Sequence, residues 1–185
     1  MERWEEEPQL VLLAQAGDRQ AFATLAERYW RRVFRWLYGL THHTHLAEDL
    51  TQEAFLKAWR ALGSFQPGAS FRAWLFHIAR NCLIDGRRGP RSATVQVLPQ
   101  TVPAREPDPG KAVLEREGQA VLQEACARLP EHFRAAFFLW AHEDLSFAEI
   151  AQVLGTTEAT ARWRVFKARL FLLKELGSYL GKKMP

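Results

Sequence analysis

The feature that most constrains this chain is a proline-dense stretch. Residues 89–110, GPRSATVQVLPQTVPAREPDPG, hold five of the nine prolines and show no helical periodicity. Proline removes a backbone donor and clashes with the preceding helical turn, so the stretch reads as a connector. The chain on either side of it is strongly periodic. Apolar residues recur there at steps of three and four, and no segment sustains the period-two alternation of a strand. The predicted fold class is therefore all-α: two small helical modules, 1–88 and 111–185, joined by a Pro-rich linker at 89–110.

Local punctuation places the helices. A short apolar helix over 8–16 is broken by Gly17-Asp18, and Asp18 caps a second helix running to about Leu40. A third begins at Thr44 or His45 and ends at Gly63. The loop SFQPGAS turns at Pro67-Gly68, and Ser70 caps a fourth helix that stops near Gly86. In the second module helices are expected from about Lys111 to Arg128, from Glu131 to His142 and from Phe147 to Leu154. Gly155 then supplies a turn, and Thr156 or Thr157 caps a last helix to about Leu176.

With 48% hydrophobic and 25% charged residues the chain is globular in composition. It has no apolar run of about 20 residues, and its acidic start, MERWEEEPQL, lacks a signal core, so a cytoplasmic location is expected. Cys82 and Cys126 have no neighbouring thiol or imidazole at ligand spacing and read as buried thiols. The net charge of +4 matters less than its distribution. Five arginines stand between Arg72 and Arg91, and five Lys or Arg between Glu158 and Lys174, whereas Thr44–Phe55 carries three acids and no Lys or Arg. Two separated basic segments suit two contacts with a polyanion.

The strongest motif is LSFAEIAQVLGTTEATARWRVFKARLFLL. Its cap at Ser146, inward Ile150 and Ala151, glycine turn and basic second helix form the pattern of a helix-turn-helix, which sets its second helix in the DNA major groove. Glu158, Ala159, Thr160, Arg162, Trp163, Arg164 and Lys167 are the candidate DNA-reading residues. Arg pairs bidentately with guanine, and Lys and Thr hold phosphates. A plain helical hairpin with a solvated basic face would need fewer of these signals to coincide. His42, His43, His45, Glu48 and Asp49 could ligate a metal, but they lack HExxH spacing. No phosphate loop, nucleophile elbow or triad is present, and neither catalysis nor a cofactor is expected.

Five segments, AGDRQAFATLAERYWRRVFR, AEDLTQEAFLKAWRAL, FQPGASFRAWLFHIARNCLID, LPEHFRAAFFL and LSFAEIAQVLGTTEATARWRVFKARLFL, together resemble the extracytoplasmic-function sigma factors of bacterial RNA polymerase. The resemblance runs from about Pro8 to Leu176. It implies that the first module binds the polymerase core and reads the −10 promoter element, and that the second reads the −35 element. Asp49, Leu50, Gln52, Glu53 and Leu56 would then form an exposed band docking on the polymerase core. Phe65, Gln66 and Ser70 would form a pocket for a flipped base, and Arg72, Arg80, Asn81, Arg87 and Arg88 would contact the unpaired strand. The spacing of Trp74 with Phe71 and Ile78 favours a core role for it. The resemblance also implies an anti-sigma protein wedged between the modules. Trp163 and Phe166 depart from the family pattern, which has a small residue and a His or Tyr there. Two other readings stand beside this one: a stand-alone dimeric helix-turn-helix regulator, and a small metal-dependent hydrolase using His42, His45, Glu48 and Asp49.

Overall fold

The computed structural model describes residues 7–88 and 122–183, the side chains of 88 and 178–183 excepted. The expected connector at 89–110 and the start of the helix expected from Lys111 lie outside the described residues. All regular structure among them is helical: α1 (Glu7–Gln15), α2 (Arg19–Thr41), α3 (Thr44–Ala61), a 3₁₀ turn (Leu62–Ser64), α4 (Phe71–Arg88), α5 (122–128), α6 (Glu131–Glu143), α7 (Phe147–Leu154) and α8 (Glu158–Lys183).

The helix boundaries follow from local chemistry. Asp18 Oδ1 accepts from the amides of Gln20 and Ala21 at 2.8 and 3.2 Å, satisfying donors that α2 leaves open at its start. Ser70 Oγ does the same for Ala73 at 3.3 Å. The cap of α3 is less usual: His43 Nδ1 accepts from Leu46 N at 3.1 Å. α2 ends where His42 takes a left-handed conformation, φ 52°. α4 runs past Gly86 to Arg88, because Gly86 keeps helical dihedrals and faces Leu50 of α3.

Each helix buries one stripe. On α2 it is Leu25, Tyr29, Val33, Trp36, Leu37 and Leu40; on α3 it is Ala47, Leu50, Ala54, Phe55 and Ala58. Small residues on α3 let α2 and α4 pack closely on either side. Gln15 ties α1 to the turn after α3, donating to the carbonyls of Leu62 and Phe65 at 3.0 and 2.7 Å. Cys82 and Cys126 are buried, and burial pushes both thiols up to about 11. No helix among the described residues is long and apolar enough to cross a membrane.

The helices before and after the undescribed stretch share one hydrophobic core, which runs from Val11 through Leu83 into Ala135, Leu139, Ile150 and Val165. Trp36 of α2 donates its indole N–H to the carbonyl of Ala135 on α6 at 3.3 Å and meets Phe76 edge-on. Arg32 of α2 pairs with Glu143 of α6 at 2.7 Å. Burial pushes the Glu143 carboxyl above its usual range, against the pull of Arg32. Arg134, buried on α6, donates to the carbonyls of Ala127 and Leu129 at the end of α5 and to Leu40 at the end of α2. One cation thus satisfies carbonyls left open at two helix ends. A smaller cluster of Ala125, Cys126, Leu129, Ala168 and Leu172 holds α5 against α8.

Candidate nucleic-acid interface

The helix-turn-helix is built as its sequence predicts. Ser146 and Glu149 form a reciprocal capping box at the start of α7. Burial works against the Glu149 carboxylate, yet hydrogen bonds from Ser70 and Ser146 hold it below its usual range. Ile150, Ala151, Val153 and Leu154 point inward. Gly155 turns the chain at φ 55°, a region that costs other L-residues strain. Thr157 Oγ1 accepts from Thr160 N at 3.2 Å and opens α8.

Ala161, Val165, Ala168 and Leu172 seat α8 on its own module. Glu158, Ala159, Arg162, Trp163 and Lys167 stand exposed, and Thr160 and Arg164 are half-buried. Arg162 is held from two sides: Nη2 lies 2.8 Å from Glu158 Oε1, and the guanidinium stacks 4.6 Å above Phe147. Trp163 rests edge-on against Phe133 at 5.4 Å, with the Lys167 ammonium 5.9 Å from its ring centre. The start of α8 therefore presents a propped aromatic ring between two cations.

The second candidate surface is the loop before α4 and the face of α4 itself. A groove of about 450 Å³ opens there, walled by Phe65 and Trp74 and rimmed by Ser64, Gln66, Ser70 and His77. Ala69 N donates to Gln66 O at 3.2 Å and closes the Pro67-Gly68 turn that shapes the rim. Phe65 is buried against Phe71 and Trp74, with ring centres 5.8 and 5.1 Å away. Trp74 is half-buried: it packs on these rings, as expected, and also faces the groove.

Gln152 of α7 completes the rim of this groove, and the rest of the α4 face is covered in the same way. Arg72 Nη2 donates to Asp144 O at 3.3 Å, and His77 Nδ1 lies 3.1 Å from Gln152 O. Asn81 bonds His77 at 3.1 Å. Arg87 forms a bidentate pair with Glu131 at 2.7 and 2.8 Å. The Arg80 guanidinium lies 3.4 Å from where a side chain on Gly155 would begin. Desolvation, and Arg164 beside it, lower the Arg80 pKa. Arg72, Arg80 and Arg87 thus all turn toward α6, α7 and the turn before α8, while Asn81 bonds His77 of its own helix. The Arg88 side chain lies outside the described residues. Glu131, Asp144 and Gln152 were not singled out from the sequence, because nothing local marks a residue as the partner of a distant helix.

On α3, Asp49, Gln52 and Leu56 are exposed and Glu53 is half-buried, paired with Lys57 at 3.0 Å. Leu50 departs from expectation: it is buried at 3% exposure. At 3.6 residues per turn it shares the inward stripe of Ala47, Ala54 and Ala58, so the outward band is Asp49, Gln52 and Leu56 with Glu53 at its margin. Beside it, Trp30 stacks on Phe55 at 5.4 Å and remains 39% exposed. His42 and His43 close one helix and open the next. Among the described residues, no three His, Cys, Asp or Glu side chains gather as metal ligands.

Comparison with known proteins gives two family matches: Sigma-70 region 2 over residues 25–92 and Sigma-70, region 4 over residues 119–172. The chain is similar to the RNA polymerase sigma-H factor of Pseudomonas aeruginosa, 35% identical across 93% of this chain and 94% of that protein. It is also similar to the ECF RNA polymerase sigma-E factor of Escherichia coli K12, 33% identical across 86% of this chain and 88% of the relative. Among solved structures it resembles CnrH in complex with the cytosolic domain of CnrY, with a TM-score of 0.69 and 26% identity over 93% of this chain and 97% of that one.

Proposed function

The chain belongs to the extracytoplasmic-function sigma factors of the sigma-70 family, and from that premise we propose how its surfaces divide the work. It is a non-catalytic subunit that directs RNA polymerase to initiate transcription. In our reading the module at 1–88 docks on the polymerase core and takes the −10 element, the module at 111–185 takes the −35 duplex, and 89–110 connects them. The protein works in the cytoplasm, where polymerase and promoter are. An anti-sigma protein is the expected antagonist.

Three observations support these assignments. The exposed acids and Leu56 on α3 suit a basic, apolar-centred partner surface. Base extrusion needs a pocket with π-faces and polar rims beside cations, and the groove between Phe65 and Trp74 next to the α4 arginines has all three. At the −35 end, Arg162 is held in place before it meets a base, which lowers the ordering cost of binding.

The observation that carries the reading furthest is the occupied α4 face. Single-stranded DNA and the second module need the same side chains, Arg72, Arg80 and Arg87. Strand capture then requires α6 and α7 to leave α4. On the core, with the modules held on separate promoter elements, the face would be free.

The test is co-purification with bacterial polymerase core. The full chain should bind, residues 1–88 should retain most of that binding, and Asp49→Lys in the full chain should lose it while keeping a wild-type thermal transition. Normal core binding by Asp49→Lys would remove the docking assignment. Binding by the full chain with none by residues 1–88 would move the main dock out of the first module.

A further inference from the structure

Two side chains fix the position of one exposed ring on α8. Trp163 is 50% exposed, yet Phe133 of α6 meets it edge-on at 5.4 Å, and the Lys167 ammonium lies 5.9 Å from its ring centre. Phe133 is itself anchored, packed on the cluster of Ala125, Cys126, Leu129, Ala168 and Leu172 that joins α5 to α8. Phe166, 53% exposed on the same helix, has no ring against it among the described residues. A ring already held in place loses little freedom on binding. Trp163 is therefore suited to a contact at one defined place.

Its position and chemistry narrow what that contact is. Trp163 stands about 8 Å along α8 from Glu158 at 1.5 Å per residue, within the N-terminal part that a recognition helix brings to base edges. An indole offers a flat apolar face and one N–H donor, and no acceptor. The Trp163 N–H has no acceptor among the described residues. In the major groove adenine and cytosine put amino donors forward, and guanine puts forward two acceptors with no apolar group. Thymine alone sets an acceptor, O4, beside a methyl group. A phosphate oxygen would take the N–H but offer the ring face nothing.

We propose that Trp163 selects thymine at one position of the duplex, with its ring on the C5 methyl group and its N–H on O4, and that Phe133 is the positioning residue behind it. The proposal rests on α8 being the duplex-reading helix, and it goes beyond that reading by naming the base and the two groups of it that are read. A small residue at 163 covers no methyl group. The large residue that this chain carries there thus becomes a difference in promoter preference.

The test begins with selection by the full chain, at low salt, from duplexes carrying a random window of about 20 base pairs. Sites selected by wild type should hold one thymine that Trp163→Ser does not keep. Replacing that thymine by deoxyuridine removes only the methyl group. It should weaken wild type about three- to fivefold, the worth of one buried carbon, and leave Trp163→Ser unchanged. 5-Methylcytosine paired with guanine keeps the methyl group but sets an amino donor where O4 stood, and wild type should bind it more weakly still. Phe133→Leu should lose most of the thymine–uridine difference while holding the uridine duplex as wild type does. A loss on both duplexes alike would make Phe133 a packing residue and overturn that clause. Equal binding of thymine and uridine duplexes by wild type, at every thymine of the selected site, would overturn the proposal and leave α8 a base reader. So would a loss in Trp163→Ser that is the same on every sequence, which would set the ring against sugar and phosphate. Selection by wild type with no sequence preference at all would remove the base-reading role of α8, and the proposal with it.

Discussion

Gly39 offers a way to separate the two halves of the molecule with one methyl group. It lies inside α2 facing α6, where a side-chain carbon would overlap Phe138 Cε2 and stand 2.8 Å from Cδ2. Ala at this position acts on two equilibria. It favours the helical state of α2 by about 1 kcal/mol, but it does so whether or not the halves are docked. The steric cost exists only in the docked state, and overpacking of this kind costs about 1–3 kcal/mol. Gly39→Ala should therefore shift the docked-to-open ratio by about 5- to 150-fold without weakening 1–88. Apparent affinity for single-stranded DNA scales with the open fraction until the open form dominates. Fluorescence anisotropy with a single-stranded oligonucleotide should show tighter binding, and small-angle scattering should show a larger radius of gyration. Glu131→Gln should act in the same direction but less, since both partners of that pair are more than 40% exposed and such pairs contribute about 0.2–1 kcal/mol. Wild-type affinity together with wild-type dimensions in Gly39→Ala would refute the reasoning. An opened molecule with unchanged affinity would show that the α4 face is not where the strand binds.

Three further outcomes are expected. Leu50→Ala should cost about 2–5 kcal/mol of stability by leaving a core cavity, whereas Leu56→Ala should leave the denaturation midpoint unchanged and weaken association with the polymerase core; the reverse pattern would exchange their roles. Arg162→Ala should weaken −35 binding by about 1–3 kcal/mol at one base position if Arg162 reads a base, and an equal loss on every sequence would make it a phosphate contact. Burial, with Arg134 beside His42 and Arg35 beside His142, lowers both imidazole pKa values. A histidine depressed in the folded state contributes stability that is full above its unfolded pKa of about 6.5 and lost as pH falls through the folded value. The urea midpoint should drop between pH 7.5 and 5.5, and His42→Asn/His142→Gln should flatten that drop; an identical drop in the variant would assign it to other groups.

The parts of the fold that were legible in the sequence are those specified within a turn or two. Asp18, Ser70, Ser146 and Gly155 announce helix ends with side chains or dihedrals that act on neighbours three or four residues away. On α8 periodicity alone placed Glu158, Ala159, Arg162, Trp163 and Lys167 outward, while Thr160 and Arg164 are half-buried. Leu50 was misread because its acidic neighbours drew it into their band, although its position relative to Ala47 and Ala54 puts it inside. His43 gave no warning of its capping role, since an imidazole seldom substitutes for a hydroxyl or carboxylate there. The docking of one set of helices on the other was not legible at all. Trp36 meets a backbone carbonyl 99 residues away and Arg32 a carboxylate 111 residues away, and no local pattern encodes a partner at that range.

That separation also sets an order in time. Every group that covers the α4 face, from Glu131 to Gly155, is made after every group it covers. Arg87 and Glu131 are 44 residues apart, and Arg32 and Glu143 are 111 apart. At about 5–20 residues per second, a ribosome leaves the first module uncovered for roughly 2 to 13 s before its cover is complete. A newborn chain thus passes once through an open stage that the finished protein must later spend free energy to regain. A polymerase core that meets it during synthesis meets it with no closed form to compete.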